Sequence, residues 1–573
     1  MRIPLWLALG IIIVAQAVLL WNEASRLSPT YDEPAHLVAG LEAWRTGRCD
    51  LYDVNPPLFR LWSAIPAVVG GAEVPMLPDD PANVPGSRTE FKRGQAFLIQ
   101  YRQQGMQWLI AARRMNMLWA VLGTLGVFGL GLELTGRPVV GLLASLVWAF
   151  NPNILGHGIL LTGDVPAAAA GAWFSFAAVR ACRLGTWASA ARAGGWLGLA
   201  VLTKFTLAVL VPLLPVLAWL ARRSSRPWLP PWPRLAMGCA RMVVLLAAAW
   251  IVLAAGYRFQ GIGRPLGDFQ FISRALTGHE GQAMRPGNLF RGSRLSRVPV
   301  PLPASLVQGI DNQWQDFDHP QRSYWRGRWQ VGGWWWFYLA ALSVKLPLGL
   351  LAMLAVSAPA WALRRPFWAA CLLPTLWLIA VVSAKTNMNE HVRYLWVVLP
   401  WLSVMAAAGW DFANRIVRGL LIAGTAWVVA AGLTCWPWGI SYSNELVGGI
   451  HQTWRVLAGS NVDWDQGWIA ARRWLEDHRA KSSPPIFAHR PSPGVLEAIG
   501  VAYTEPDSGL LDQDPPVRCR VLVSTQDRLE NAAYQAWWPP VERIGCCIEV
   551  YEASSEELAA YAYHLVQLHP PLP

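Results

Sequence analysis

Charged residues are scarce in this sequence. Only 15% of its 573 residues are Asp, Glu, Lys or Arg, whereas an ordinary soluble domain has roughly 25%. Hydrophobic residues make up 54% of the chain. These proportions exclude a disordered chain, a coiled coil and a typical soluble enzyme. They indicate a protein that crosses a membrane several times.

Metal-binding and nucleic-acid-binding patterns are also missing. The sequence has no CxxC motif and no cluster of His and Cys, so no metal site and no required cofactor are predicted. A divalent cation is left open, without a ligand cluster to indicate one. No basic run interleaved with aromatic residues accompanies the net charge of +12, so nucleic acid is not an expected partner.

Apolar segments of spanning or near-spanning length recur along the chain, and they predict about ten to twelve membrane spans. The 35 tryptophans agree with this prediction, because indole rings settle at the lipid–water interface. The lipid bilayer is therefore an expected partner. The segments are Leu5–Trp21, Met115–Leu134, Val139–Phe150, Val165–Val179, Trp196–Leu220, Met242–Ala255, Trp335–Leu354, Phe367–Val382, Leu395–Ala408 and Leu420–Leu433.

Arginines are concentrated in the short loops between these segments. If the N-terminus is cytoplasmic, all of these loops fall on the cytoplasmic side, in agreement with the positive-inside rule. The long segments 22–114, 257–334 and 434–573 then share the exoplasmic side. The first apolar segment is predicted to be a retained anchor rather than a cleaved signal peptide. The loop arginines are Arg2, Arg137, Arg180, Arg183, Arg192, Arg222, Arg223, Arg226, Arg234, Arg241, Arg364, Arg365, Arg415 and Arg418.

The last part of the chain has a different character. Residues 1–440 are predicted to form the transmembrane domain, and residues 441–573 a small exoplasmic α/β domain. Short alternating apolar stretches predict strands at Arg518–Ser524 and Ile544–Tyr551, and a helix is predicted at Trp468–His478.

The two predicted strands carry cysteines. Cys519 lies in one strand, and Cys546 and Cys547 lie in the other. An oxidising exoplasmic compartment would permit one disulfide bridge between the strands. The odd number of exoplasmic cysteines argues against a larger disulfide framework.

The first long exoplasmic segment opens with an acidic pair. Residues 28–36 read SPTYDEPAH, and a helix is predicted from Pro34 to Thr46, ending at Gly47. Asp32 and Glu33 stand at its N-terminal end. Two interpretations are open: the carboxylates cap the helix, or one of them is a base held at the membrane surface. The apolar face that favours a helix lying on the membrane carries Leu37, Leu41 and Trp44.

Six further motifs stand beside the predicted spans or in the exoplasmic segments. They are Asp53–Arg60 (DVNPPLFR), Leu160–Pro166 (LLTGDVP), Leu202–Phe205 (LTKF), Gly333–Tyr338 (GWWWFY) with Lys345–Pro347 (KLP), Asn389–Tyr394 (NEHVRY) and Ser460–Gln466 (SNVDWDQ). In this order, together with the acidic pair, they resemble the glycosyltransferases of the GT-C fold. The resemblance is to the family that includes the protein O-mannosyltransferases and the bacterial aminoarabinose transferase of lipid A. It implies a mainly α, polytopic GT-C-like bundle in the bacterial inner membrane.

The resemblance also implies roles for individual residues. The family's catalytic base maps onto Asp32, with Glu33 beside it, and a second exoplasmic acid maps onto Asp164. Two matches are partial: Asn55 replaces the histidine of a His-Pro-Pro motif, and the motif that begins at Asp463 has two positions exchanged. Lys345 joins the set because an ionisable group in an apolar stretch usually has a partner or a ligand. The predicted substrate-binding residues are Lys204, Lys345, His391, Arg393, Tyr394, Asn55 and Asp463.

The expected function is transfer of a sugar from a polyprenyl-phosphate donor to an unidentified exoplasmic acceptor, with inversion. Such a reaction needs cations near the membrane surface for the phosphate, and a carboxylate that takes the proton of the acceptor hydroxyl. Ordinary structural roles are the alternative, such as a lysine that reaches the interface or an aspartate that caps a helix. A transporter or lipid flippase and a non-catalytic scaffold are the competing functions, although no internal repeat is visible.

Overall fold

The computed structural model describes residues 4–77, 86–221, 231–278, 286–385, 389–412, 414–479, 486–488, 492–501, 518–530 and 539–554. Helices dominate these residues, and two small sheets accompany them.

The N-terminal half folds into apolar helices joined by short connections. Its helices are α1 (Leu5–Glu23), α2 (Glu33–Thr46), α3 (Leu58–Val69), α4 (Thr89–Thr135), α5 (Pro138–Ala149), α6 (Pro152–Gly158), α7 (Asp164–Leu184), α8 (Trp187–Thr203), α9 (Leu214–Ala221) and α10 (Pro231–Gly256). Helix α1 has no charged residue before Glu23. Its 19 residues give a length of about 28 Å, close to the thickness of the hydrocarbon core.

The C-terminal half continues the bundle and then leaves it. Its helices are α11 (Arg274–Thr277), α12 (Ala304–Asp318), α13 (Phe337–Lys345), α14 (Leu348–Ala362), α15 (Arg365–Phe367), α16 (Leu373–Lys385), α17 (Leu399–Ala407), α18 (Arg415–Cys435), α19 (Trp468–Arg479), α20 (Val495–Ile499) and α21 (Thr525–Glu530). Tighter 3₁₀ turns precede α9 at Phe205–Leu213 and α17 at Val392–Val398.

The chain is an integral membrane protein. Within the described residues, six helical segments are long and apolar enough to cross a membrane, and eight if each of two bent pairs counts as one span. The pair α13 and α14 bends by 108° at Pro347, whose missing N–H interrupts the helix. Other apolar segments, such as Phe205–Ala218 and Trp368–Ala384, form shorter helices, and a count of ten to twelve spans requires that such helices also cross the membrane.

Two of the loop arginines lie far from Asp164. Arg183, near the end of α7, donates to Glu133 of α4 at 2.7 Å, and the guanidinium of Arg241 lies 5.9 Å from the ring centroid of Trp187. Asp164 begins α7, about 30 Å away along its axis. Arg183 and Arg241 therefore lie at one end of the bundle, and Asp164 marks the other end.

Helix α2 is buried rather than lying on a membrane surface. Its bounds agree with the predicted helix, and Gly47 ends it in the left-handed conformation at φ 77°. However, Leu37 and Leu41 are buried, and Trp44 alone of the predicted apolar face is exposed. Helix α3 packs so closely that a methyl group added at Gly40 would lie 2.5 Å from its backbone. The prediction of a surface helix was wrong because distant parts of the chain cover α2.

Two small sheets form in segments that were predicted to be exoplasmic. β1 (Arg322–Trp325) and β2 (Arg328–Val331) make an antiparallel hairpin. The second sheet contains β3 (Ile486–Ala488), β4 (Arg518–Ser524), β5 (Glu542–Ile544) and β6 (Ile548–Ser554) in the order β3-β4-β6-β5. β3 runs parallel to β4, and the other pairs are antiparallel. Strand β4 and helix α19 confirm the predicted elements, whereas the predicted strand Ile544–Tyr551 is divided between β5 and β6.

The C-terminal unit rests on the end of the bundle that carries Asp164. Trp468 and Val495 share a hydrophobic core with residues of α2, α3 and α4. Before this unit, Asn444 donates to the carbonyls of Ser343 at 2.7 Å and Leu346 at 3.0 Å. The segment after residue 441 thus first packs against the bundle, and the sheet begins only at Ile486.

The disulfide bridge that the sequence would permit is not formed. Cys546 and Cys547 are both free and buried. In the ladder between β4 and β6, Cys519 is opposite Ala553 rather than Cys547. At about 3.3 Å per residue this register separates the cysteine backbones by about 20 Å, far more than the roughly 7 Å that a disulfide allows.

Candidate active site

A cavity of about 840 Å³ lies at this end of the bundle. It is bounded by the connection before α2, the start of α7, the end of α8, the residues before α17 and the loop that leads to α19. The structure brings eight of the predicted site residues to its wall. They are Asp32, Asn55, Asp164, Lys204, His391, Arg393, Tyr394 and Asp463.

Asp32 forms an ion pair with Arg393 across the cavity wall. Both terminal guanidinium nitrogens donate to Oδ2 of Asp32 at 3.0 Å, and the guanidinium lies 3.9 Å from the ring centroid of Trp464. Asp32 makes no side-chain hydrogen bond to the backbone of α2, so its carboxylate does not cap that helix. Among the described residues, its Oδ1 has no hydrogen-bond partner.

Glu33 points away from the cavity, into the protein. Its carboxylate accepts from Arg113 at 2.8 and 2.5 Å, and both side chains are fully buried. It also accepts from the backbone N–H groups of Thr30 and Leu161 at 2.9 and 3.2 Å. The side chains of consecutive residues at the start of a helix point in different directions. The predicted acidic pair is therefore divided, with Asp32 in the cavity and Glu33 holding the first loop together.

Asp164 and Lys204 form a second ion pair in the cavity. Asp164 is the first residue of α7, and Lys204 follows the last residue of α8 in an extended conformation. The Lys204 ammonium lies 4.7 Å from the ring centroid of Tyr394. Because Arg393 is the neighbour of Tyr394 in the chain, the two ion pairs lie side by side.

His391 lines the cavity and is held by the loop before α19. Its Nδ1 is hydrogen-bonded to the hydroxyl of Ser460 at 2.9 Å, and Asn461 accepts from the backbone N–H of Val392 at 3.1 Å. Burial, followed by the positive charge of Arg393, holds the pKa of His391 well below its usual range. The imidazole is therefore neutral at physiological pH.

Lys345 does not reach the cavity, contrary to the expectation that it binds the phosphate. It is fully buried, and its ammonium donates to the carbonyls of Ile440 at 2.7 Å and Asn461 at 2.8 Å. Asn461 belongs to the loop that holds His391. Lys345 therefore ties this loop to the bundle from behind.

Carboxylates are concentrated on the side of the cavity that faces the C-terminal unit. Burial, followed by the charges of Asp465 and Asp527, raises the pKa of Asp463 to about 8. Burial raises the pKa of Asp465 to about 6 and that of Glu390 to about 7. No group of three or more His, Cys, Asp or Glu residues in the described ranges is placed to hold a metal ion.

Several residues that line the cavity were not predicted from the sequence. Asp465 and Glu390 lie inside two of the recognised motifs but were not predicted as site residues, and His36 stands one helical turn after Asp32. The i to i+4 spacing from Asp32 could have indicated His36. Arg88, which pairs with Asp316 at 2.7 Å, lies in a part of the first loop without a recognised motif.

The comparisons with known proteins agree with the resemblance drawn from the motifs. Residues 105–250 match the model of the dolichyl-phosphate-mannose-protein mannosyltransferase (PMT) family. This match covers about a quarter of the chain. The matched segment contains Asp164 and Lys204, whereas Asp32 and Arg393 lie outside it. No curated protein matches this chain.

Three solved structures are similar to this chain. ArnT from Cupriavidus metallidurans in the apo state has 13% identity and a TM-score of 0.46, over 95% of this chain and 97% of that one. The S. cerevisiae protein O-mannosyltransferase Pmt1-Pmt2 complex, bound to the sugar donor, has 10% identity and a TM-score of 0.46, over 76% and 90%. The oligosaccharyltransferase AglB from Archaeoglobus fulgidus, in complex with an inhibitory peptide and a dolichol-phosphate, has 13% identity and a TM-score of 0.41, over 93% and 70%.

Proposed function

We propose that this chain transfers a monosaccharide from a polyprenyl-phosphate donor to an acceptor hydroxyl at the exoplasmic face of the bacterial inner membrane, with inversion. The observation that carries the proposal is the pairing of two carboxylates with two cations in one cavity, Asp32 with Arg393 and Asp164 with Lys204. The match to a family named for a dolichyl-phosphate sugar supports this donor class.

Asp32 is the proposed base. Its Oδ2 is held by Arg393, which fixes the carboxylate, and its Oδ1 is available to accept the proton of the acceptor hydroxyl. The acceptor oxygen then forms a bond to the anomeric carbon while the bond from that carbon to the phosphate oxygen breaks. The electron pair of the broken bond goes to the phosphate, so the products are a glycosylated acceptor and a polyprenyl phosphate.

Lys204 and Arg393 are the proposed phosphate ligands. The charge that develops on the departing phosphate needs fixed cations nearby, and these two side chains are the cations next to Asp32 and Asp164. Asp164 holds the Lys204 ammonium in place. The aromatic rings of Tyr394 and Trp464 flank the two cations and limit where a phosphate can bind.

A transporter or flippase is less well supported. Transporters keep ionisable groups and broken helices near the middle of the membrane. Here Asp164 starts a span and Lys204 follows the end of a helix, so both lie at one end of the bundle. Purified protein in lipid, incubated with labelled polyprenyl-phosphate sugars, would distinguish the two functions, because a transferase releases polyprenyl phosphate and a flippase leaves the donor intact.

Neutralising the two cations should weaken binding of the lipid phosphate. We expect Lys204→Met and Arg393→Met each to lower the affinity for undecaprenyl phosphate by about ten- to a hundredfold, because a hydrogen bond to a charged group contributes roughly 1.5–3 kcal/mol. Equilibrium binding to the protein in nanodiscs measures this. Lys92→Met, which removes an exposed lysine outside the cavity, is the control. Unchanged affinity in both variants would rule out this phosphate site.

The proposed orientation places Ser25 outside the cell and the exposed thiols Cys182 and Cys239 inside it. In spheroplasts, a membrane-impermeant maleimide should therefore label the Ser25→Cys variant. Labelling attributable to Cys182 and Cys239 should appear only after permeabilisation. Peptide mass spectrometry locates each adduct. The opposite pattern, with Cys182 labelled in intact spheroplasts, would contradict both the orientation and an exoplasmic active site.

A further inference from the structure

The segment between α10 and α12 is strongly basic and has exposed apolar side chains among its arginines. Residues 257–303 contain seven arginines and only two acidic residues. Near the end of the segment, Leu295 and Val298 are 53% and 46% exposed. Arg291, Arg294 and Arg297 are exposed as well, and none of them forms an ion pair with another described residue. These side chains form one surface, which no described part of the chain covers.

A hydrogen bond fixes the depth of this surface. The residues Ala236–Gly256 of α10 are long and apolar enough to span a membrane, and almost none of them is buried by the rest of the protein. The indole N–H of Trp250 in this span donates to the carbonyl of Pro301 at 2.6 Å. Trp250 lies six residues before Gly256, which is about 9 Å along the helix axis. The basic segment therefore turns back along the lipid-facing side of α10.

The segment lies at the end of the bundle that carries the cavity. A methyl group added at Gly256 would lie 2.5 Å from a side-chain carbon of Leu202, and Lys204, two residues further on, lines the cavity. The side chain of Gln260 donates to the carbonyl of Gly47, at the end of α2, at 3.1 Å. The basic surface and the cavity therefore lie on the same side of the membrane.

Backbone hydrogen bonds give the surface a defined shape. The N–H of Val300 donates to the carbonyl of Arg264 at 3.0 Å, and the N–H of Leu266 donates to the carbonyl of Val298 at 3.0 Å. A 3₁₀ turn covers Arg294–Arg297. The exposed arginines and apolar side chains are thus presented from a folded segment.

The composition of the surface matches the headgroup region of a bilayer. Arginines beside exposed apolar side chains are typical of segments that lie in a membrane interface, with the apolar groups among the acyl chains. The guanidinium group pairs with phosphate oxygens in a planar, bidentate geometry. Basic segments at a membrane surface also attract anionic lipids. A soluble anion would leave the exposed Leu295 and Val298 unexplained.

We infer that residues 287–301 dock onto the leaflet on the cavity side and bind anionic phospholipids. Arg291, Arg294 and Arg297 bind the headgroup phosphates, and Leu295 and Val298 enter the leaflet. This surface is separate from the cavity, and the inference does not depend on the proposed sugar transfer.

Docking has a consequence for the cavity. Helix α12 begins at Ala304, directly after the docked residues, and its Gln313 and Asp316 line the cavity. A segment anchored among the headgroups therefore holds this part of the cavity wall at a fixed height above the leaflet.

Site-specific photocrosslinking tests the inference. The photoreactive residue p-benzoylphenylalanine replaces Leu295 or Val298 in the full-length protein. The nanodiscs contain equal amounts of phosphatidylglycerol and phosphatidylcholine with the same acyl chains, and one of the two lipids is radiolabelled at a time. An arginine near an anionic membrane surface strengthens binding by about fivefold. Adducts with phosphatidylglycerol should therefore exceed those with phosphatidylcholine by about fivefold or more.

Two comparisons make the result specific. Arg291→Gln, Arg294→Gln and Arg297→Gln combined should bring the ratio of the two adducts close to one. The total yield of lipid adduct should persist, because the apolar side chains still enter the leaflet, and this yield also shows that the variant folds. The probe in place of Ile99, which is 47% exposed but lies against Gly494 of the C-terminal unit, should give little lipid adduct.

The inference is overturned if the probes at Leu295 and Val298 form no lipid adduct, or form equal amounts with both lipids. It is also overturned if the triple variant keeps the preference of the wild-type protein. In nanodiscs supplied with a membrane extract, adducts with a glycan-bearing lipid or a second protein in place of phosphatidylglycerol would assign the surface to that partner instead.

Discussion

Replacing Asp32 by asparagine is expected to lower the rate of sugar transfer by about 10²–10⁴-fold, the usual contribution of a positioned general base. Asparagine has nearly the same shape and still accepts a hydrogen bond from Arg393 through its carbonyl oxygen. The variant should therefore fold and keep its affinity for undecaprenyl phosphate within a fewfold change. Single-turnover transfer with saturating donor isolates the chemical step.

Asp164→Asn is the matched variant for this experiment. Asp164 lies in the same cavity and is also paired with a cation, Lys204. If Asp164 only holds that lysine, its substitution should weaken donor binding more than it slows the chemical step at saturating donor. Full activity in Asp32→Asn, together with a loss of about 10² or more in Asp164→Asn, would move the base to Asp164.

Replacing Glu33 by glutamine should strongly lower the stability of the protein and change its rate of transfer little. Asp32→Asn should lower the rate and leave the stability nearly unchanged. Glu33 and Arg113 form a fully buried ion pair, and Arg113 also donates to the carbonyls of Ala24, Leu27 and Ser28. Breaking a buried pair by neutralising one partner leaves a charge without compensation, which costs about 3–5 kcal/mol. Thermal unfolding of Glu33→Gln in detergent should therefore shift strongly downward, whereas Asp32→Asn should unfold near the wild-type temperature.

The activity of Glu33→Gln completes this comparison. At a temperature where the variant is folded, its rate of transfer per folded molecule should stay within about tenfold of wild type, well short of the 10²–10⁴-fold loss expected for a base. Wild-type thermal stability together with a large loss of rate would mean that Glu33, not Asp32, meets the acceptor.

The sequence contained enough information for the fold class and for most of the cavity. Ordered motifs placed Asp32, Asp164, Lys204 and Arg393 in one site, although Asp32 and Arg393 are 361 residues apart in the chain. Those motifs lie at the ends of apolar segments. The ends of neighbouring spans meet on one side of a bundle. Residues at those ends were therefore predicted to lie close together in space.

The direction of a side chain was harder to predict. Glu33 and Lys345 belong to the expected motifs, yet each is turned into the protein, toward Arg113 and toward the carbonyls of Ile440 and Asn461. Their partners come from distant segments, and nothing local in the sequence identifies them. A motif predicted that these residues matter, but not whether they face the substrate.

Burial by distant segments explains the other differences. Helix α2 has the composition of a surface helix, but α3, α4 and the C-terminal unit cover it. Within the described residues, hydrophobicity alone does not separate a full span from a short or bent apolar helix inside the bundle. The register of β4 and β6, which separates Cys519 from Cys547, likewise depends on pairing that neither strand specifies alone.

The most direct test of the central claim is the fate of the donor lipid. Wild-type protein in nanodiscs is given a panel of undecaprenyl-phosphate sugars labelled in both the lipid and the sugar, with a membrane extract as the source of acceptor. The account predicts that, for one sugar, free undecaprenyl phosphate and a glycosylated product appear in equal amounts with the anomeric configuration inverted, and that Asp32→Asn binds this donor but releases almost none of it. Every donor remaining intact, or Asp32→Asn releasing undecaprenyl phosphate at the wild-type rate, would contradict it.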